Sequence, residues 1–229
     1  MRRALVLCLF LVLPLLSSCT TGDEPTIALL VADTSESSPL VDVEGFEARV
    51  LATCDECRVR VYDAEDDAVQ QKSQARQAEA ESADVLVVVP VDPSEVESLT
   101  AGELPVLSLG TLVPGADGHV GLAQSADTLD DPASALDAAR ELIAGDRSSM
   151  TYVPTLDMSE KAADVAVGLL AEEPVVAGTE VEGVESWLFE SQDVTLDTLT
   201  TILVGQGVVT LDELCEGATA KKCRKLGLR

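Results

Sequence analysis

Through the first half of the chain, apolar and polar positions come in blocks. Residues 26–32 (TIALLVA) and 85–89 (VLVVV) are unbroken apolar runs, the pattern of strands covered on both faces in a parallel sheet. Residues 58–62 (RVRVY) and 105–109 (PVLSL) read as two more strands, and 119–123 as a candidate fifth. Helical segments separate them: a weak one at 41–53, a clear one at 67–83 rich in Gln, Ala and Glu, and a short one at 93–99 opened by Pro93. This strand–helix alternation predicts parallel pairing with right-handed crossovers. A helix at 132–144 ends at Gly145-Asp146, followed by a strand at 149–153 and a helix at 158–171. From residue 172 the pattern changes. Residues 175–188 look extended, 195–203 form a candidate helix, and 210–216 and 219–226 look like short helical turns. The expected fold class is α/β, a doubly wound parallel sheet forming one lobe with an extended C-terminal tail. Ligands of such sheets sit beyond the carboxyl ends of the strands, which directs attention to residues 33–40, 63–66, 90–92 and 110–114.

The N-terminus has its own logic. Arg2 and Arg3 precede an apolar run at 4–16, and Ser17-Ser18 lead to Cys19. This is the order of an export signal, and the run is too short to span roughly 30 Å of hydrocarbon. Leu16-Ser17-Ser18-Cys19 reads as a lipobox, in which Cys19 becomes the diacylated first residue of the mature chain. The alternative is an ordinary secretory signal that ends near a cysteine by chance. Two acyl chains of the palmitate type make a firm anchor, since each buried methylene contributes about 0.8 kcal/mol. The expected organisation is a signal at 1–18, a tether at 19–25, a lobe at 26–172 and an extension at 173–229. The expected place is the extracytoplasmic face of a cell membrane.

Charge narrows the partners. The chain holds 41 acidic against 15 basic residues, a formal −26, and losing Arg2 and Arg3 makes it more acidic. Such a balance repels phosphate backbones and anionic headgroups, arguing against nucleic acid and against electrostatic docking on membranes. Apolar residues make up 46 % but aromatics only 3 %, so the core must be built of Ala, Val and Leu.

Cys8 leaves with the signal and Cys19 is lipidated, so Cys54, Cys57, Cys215 and Cys223 remain. Outside the cytosol an even set reads as disulfides. Three pairings are possible; the local one, Cys54 with Cys57 and Cys215 with Cys223, closes the shortest loops. A four-cysteine zinc site is the alternative, but the Cys215–Cys223 spacing is longer than zinc sites favour. A redox role for Cys54-Asp55-Glu56-Cys57 is disfavoured by two carboxylates that oppose thiolate formation. His119 is the one histidine, which removes His-based triads and histidine-rich metal sites; it reads as a strand-edge surface residue. Gly205-Gln206-Gly207 reads as a turn, and Trp187 as a packing residue rather than a stacking ring. No catalytic, metal-binding or cofactor constellation is apparent.

Several stretches, in collinear order, resemble one family. They are residues 54–62 (CDECRVRVY), 67–86 (DAVQQKSQARQAEAESADVL), 87–92 (VVVPVD), 105–109, 149–154 (SMTYVP), 161–170 (KAADVAVGLL), 184–193 and 215–223. Together they resemble the type I periplasmic sugar-binding proteins, the substrate-binding lipoproteins of ABC sugar importers, nearest the xylose-binding branch. The resemblance implies a periplasmic-binding-protein-like α/β lobe, a sugar ligand and an ABC permease as partner.

Two departures qualify it. The family's two-lobed clamps hold roughly 300 residues or more and close by a hinge, whereas here the helix at 132–144 runs almost directly into Ser149. A second lobe is therefore expected to be missing between about 146 and 149, with the strand and helix at 149–171 completing the first lobe. The family's Asp-Arg pair after the fourth strand is here Gly110-Thr111, which cannot supply charge-assisted hydrogen bonds to hydroxyls. The Arg and the aromatic that resemblance would place after the first strand are absent from 33–40, and the family's Asp near the fifth strand falls at Gln124-Ser125. Asp33 and Asp92 remain as candidate ligand-binding groups, although a strand-end Asp also serves as a cap. The expectation is a non-enzymatic accessory or partner-binding lipoprotein. The alternative is weak or oligomer-dependent, pentose-like carbohydrate binding, with another chain supplying the missing half.

Overall fold

A computed structural model describes residues 24–34, 41–123, 135–173, 175 and 178–228. The signal, Cys19, the rest of the loop at 35–40 and Gln124-Ser125 lie outside the described residues.

Seven strands form the main sheet, in the order β2-β1-β3-β4-β5-β8-β7. They are β1 (Thr26–Val31), β2 (Arg58–Asp63), β3 (Val85–Val88), β4 (Val106–Gly110), β5 (Gly118–Leu122), β7 (Thr179–Val181) and β8 (Val184–Phe189). All pairs are parallel except the β7–β8 edge. β1 is buried along its whole length, as its unbroken apolar run requires. Ile27, Leu29 and Val31 face one core with Val85, Val87, Leu107, Leu109 and Val120. Ala28 and Leu30 face the other with Leu86, Val88 and Val106. Each fully buried Leu or Ile contributes about 1.5–3 kcal/mol, so the two faces together fix β1 at the centre of the fold.

Helices cover both faces. On one lie α1 (Val43–Thr53) and α5 (Thr155–Leu170), whose Phe46, Val50, Met158, Ala162, Val165 and Ala166 enter the first core. They are joined by a bidentate pair, Arg49 to Asp164 at 2.7 and 3.0 Å, and by the Asp42 N–H donating to Ser159 Oγ at 2.8 Å. On the other lies α2 (Ala68–Ala80), with Gln71, Ala75 and Ala78 buried, and α3 (Pro93–Val96), with Val96 buried. Asp42, Asp67 and Asp92 cap these helices, each accepting backbone N–H groups of the first turn.

The tail does not stay apart. β7 and β8 complete the sheet, β8 beside β5 with Val120 opposite Trp187. They are joined by Glu182-Gly183, both at positive φ (51° and 83°) with Val181 paired to Val184, a two-residue hairpin loop that favours Asn first. Glu182→Asn is expected to raise stability by about 0.5 kcal/mol, read from the thermal melt; an unchanged or lower midpoint would contradict the turn assignment.

The rest of the chain forms a second, smaller core. It comprises α4 (Ala135–Ala144), β6 (Ser149–Tyr152), β9 (Gln192–Thr195), α6 (Leu211–Leu214) and α7 (Ala220–Leu226), with a π-helical turn at Thr200–Val204. Ala138, Ala139, Leu142 and Ile143 of α4 pack with Met150, Tyr152, Val194, Leu199, Leu203 and Leu214. The expectation that residues 149–171 complete the first lobe holds for α5 but not for β6, which pairs antiparallel with β9 in its own two-stranded sheet. α4 has a strongly apolar stripe, which needs a partner; the β6–β9 pair and the C-terminal turns supply it. Among the described residues, the two larger clusters draw on strands β1–β5 and β8 with α1, α2, α3 and α5, and the smaller cluster on 135–152 with 192–228.

Candidate functional site

The carboxyl edge of the main sheet is where β1, β2, β3, β4, β5 and β8 end. The chain passes between the two cores from this edge at Glu190-Ser191 after β8, and returns at Val153-Pro154 before α5. The start of another passage follows β5, where the Ala123 N–H donates to Phe189 O at 2.8 Å. β5 and β8 therefore end side by side at this edge.

Asp33 follows β1 half-buried, and Asp92 follows β3 exposed. Asp92 is occupied locally: the Ser94 N–H and hydroxyl donate to its Oδ1 at 2.9 and 2.7 Å. The Ser94 hydroxyl first, then its amide, hold the Asp92 carboxyl below its ordinary pKa. Asp63, at the end of β2, accepts from the Thr34 hydroxyl, from the Thr34 N–H at 3.3 Å and from the Glu65 N–H at 2.8 Å. These bonds, the Thr34 hydroxyl foremost, lower its pKa. Gly110, at φ 84°, ends β4, and Thr111 follows exposed. Among the described residues no group of three or more His, Cys, Asp or Glu is placed to hold a metal ion.

The loop after β3 is set by Gln71, buried to 0 % exposure. Its Nε2 donates to Val89 O at 2.8 Å and its Oε1 accepts from the Val91 N–H at 3.0 Å. Gln71→Leu leaves both backbone groups without that partner, and an unmade buried hydrogen bond costs about 1–3 kcal/mol. The midpoint of urea unfolding is expected to fall accordingly; unchanged stability would show that the loop does not depend on Gln71.

His119 is not at a surface. It is 4 % exposed, between Ser108 of β4 and Ser186 of β8 in the register. Its pattern misled because Gly118 and Gly121 stand close to it in sequence, and the missing side chain of Gly121 is what admits the ring. A Cβ on Gly121 would fall 2.3 Å from His119 Nε2 and 2.9 Å from Gly110 O. Ser108 Oγ lies 3.3 Å from Gly118 O and 3.0 Å from His119 Nδ1. If the hydroxyl donates to the carbonyl, its oxygen is left to accept from Nδ1–H, which fixes that tautomer. Burial pushes the imidazole pKa down to about 4, against a hydrogen bond to the Ser108 backbone that raises it. Trp187 is a packing residue, 8 % exposed in the first core.

Sequence reasoning missed Phe189. It stands half-buried at the carboxyl end of β8, beside Leu122 and packed against the first core. The signal was the apolar triplet Trp187-Leu188-Phe189, but only the parallel β5–β8 pairing shows where it ends.

Among the described residues, open hollows form that are not lined by Asp33, Asp63 or Asp92. One of about 500 Å³ lies against Ser94, Glu97, Ser98, Thr100 and Pro114. Another, about 450 Å³, lies against Arg140, Glu141, Asp146, Glu216 and Thr219 of the smaller core. Cys54 is bonded to Cys57 and Cys215 to Cys223, the local pairing.

No family model matches the chain, and no curated protein matches it in sequence. Solved structures do match. A solute-binding protein of an ABC transporter from Clostridium phytofermentans, with bound β-D-glucose, superposes with a TM-score of 0.63 at 8 % identity, over 82 % of this chain and 99 % of that one. The chain has the solute-binding-protein fold. A carbohydrate transporter solute-binding protein from Chloroflexus aurantiacus, in complex with D-glucose, gives 0.62 at 13 % identity, over 83 % and 97 %. The Caulobacter myo-inositol binding protein, bound to myo-inositol, gives 0.59 at 12 %, over 81 % and 98 %. The α/β class and the mostly parallel sheet with flanking helices, expected from the strand–helix alternation, are those of this solute-binding-protein fold. Among the described residues no helix is long and apolar enough to cross a membrane.

Proposed function

We propose that this chain is an extracytoplasmic lipoprotein of the solute-binding-protein fold, anchored to the cell membrane through acylated Cys19. It is non-enzymatic and uses no cofactor. It acts as an accessory or partner-binding protein beside an ABC permease or another binding protein, and its sugar grip is degenerate. One observation carries the last point. Two carboxylates at the carboxyl edge are engaged locally, Asp63 with Thr34 and Glu65 and Asp92 with Ser94, while Gly110-Thr111 stands where a charged pair would grip hydroxyls.

The second reading is weak or oligomer-dependent binding of a pentose-like carbohydrate for an ABC transporter. It is favoured by Phe189, whose ring at the crossover is a stacking surface for a sugar face. Asp33 and Asp92 would then contribute hydrogen bonds at the rim.

The anchor is tested in cells by detergent phase partition. The parent chain is expected in the detergent phase and Cys19→Ala in the aqueous phase; equal partition of the two would remove the anchor. Light scattering separates the two readings. A dimer whose population rises with added pentose supports the second, and a monomer indifferent to sugar leaves the first.

A further inference from the structure

The charge of this chain is unevenly spread. Against a formal −26 overall, residues 217–228 contain no carboxylate and four cations, Lys221, Lys222, Arg224 and Lys225. All four are exposed on α7, whose one buried residue, Cys223, is held to Cys215 by the disulfide. Lys221 and Lys225 lie one turn apart on the side away from Cys223. Among the described residues no ion pair uses any of the four; Lys222 Nζ reaches only a carbonyl, Ala144 O, at 3.4 Å. Leu226, 39 % exposed, sits among them.

The topology places this helix far from the acidic lobe. β6 and β9 meet the crossovers at Tyr152 and Gln192, so their Ser149–Thr195 end points away from the main sheet. Ala144, which Lys222 touches, ends α4 at that same far end. Ten residues of helix span about 15 Å, more than the Debye length of about 8–10 Å near physiological salt. The large lobe's charge is therefore largely screened at α7.

We infer that α7 is a docking surface for anionic phospholipid headgroups, which turns the smaller core toward a membrane. Four cations on a short convex helix match a flat array of singly charged phosphates, and Leu226 can enter the interfacial layer. A nucleic-acid path would need basic residues along a groove, and the flanking Glu141, Asp146 and Glu216 deny one. The surface is independent of the anchor at Cys19 and would act with or without it. It refines the argument from net charge, which treats the chain as uniformly repelled by such membranes.

Flotation of the full chain on vesicles tests this, comparing neutral phosphatidylcholine with mixtures containing phosphatidylglycerol. The apolar N-terminus is common to every arm, so only the preference for anionic vesicles reads α7. The parent is expected to prefer them at about 0.1 M salt, where the large lobe is screened from α7, and to lose that preference toward about 1 M. Lys221→Glu/Lys225→Glu should weaken it at least about tenfold, with Lys221→Gln/Lys225→Gln between. Because the disulfide pins α7, these exposed changes leave the fold intact. An equal preference in parent and charge-reversed chains, no preference at about 0.1 M salt, or displacement by free glycerol phosphate at matched concentration would each overturn the proposal.

Discussion

Lowering the pH from 7 to 4.5 is expected to destabilise the protein by an amount that His119 dominates. The imidazole titrates near 4 in the folded chain and near 6.5 when unfolded. Between those values the unfolded chain binds a proton that the folded one refuses, so stability falls as pH falls. The loss begins near pH 6.5 and is complete near 4, amounting to about 3 kcal/mol. The carboxylates with lowered pKa values, Asp63, Asp92, Glu81 and Glu213, also lose stabilisation on acidification. Their loss falls below the ordinary carboxylate range, so the interval from pH 6.5 to 5 belongs to His119. Urea unfolding at stepped pH should show this slope in the parent and not in His119→Gln. A parent whose stability is flat over that interval would show that the ring is not held neutral.

The second large effect concerns the smaller core. Cys215 and Cys223 are 1 % and 0 % exposed and pack with Leu214 and Leu203. Removing a native disulfide typically costs about 2–4 kcal/mol, and this core draws its apolar residues from two separated stretches of chain. Cys215→Ala/Cys223→Ala is therefore expected to loosen residues 135–152 and 192–228 selectively. Hydrogen exchange should quicken there while 26–122 and 155–170 keep their protection. Uniform loss across both cores would show that they unfold as one unit. The Cys54–Cys57 bridge, between α1 and β2 at the rim of the larger core, should have the smaller and more local effect.

What the sequence could show followed the range of the interactions. β1 and β3 were legible because burial on both faces demands unbroken apolar runs, and α2 because Asp67 caps a strong helix former. The cap at Asp92 was legible too, from an acid directly before Pro93. The position of β8 was not legible. Its partner β5 lies some sixty residues earlier, and nothing local in VESWLF chooses β5 over any other strand. The same holds for β6, whose four residues read equally well as part of the first lobe until β9 claims them. His119 was misplaced because glycines near a polar residue resemble a loop edge, whereas here Gly121 makes room for the ring. Phe189 followed from the same unseen pairing. Of the candidate site, the spent state of Asp92 could be read from capping chemistry, but the engagement of Asp63 with Thr34 needed the β1–β2 register.

The likeness to solute-binding proteins is one of fold, and the proposal that the grip has degenerated is separable from it. A grip without a charged pair for the hydroxyls forgoes the stronger, charge-assisted hydrogen bonds. Calorimetric titration of the purified chain with a panel of pentoses and hexoses tests this most directly. No binding tighter than about millimolar is expected, in keeping with carboxylates already bonded at the sheet edge. Micromolar or tighter binding by the monomer would contradict the account.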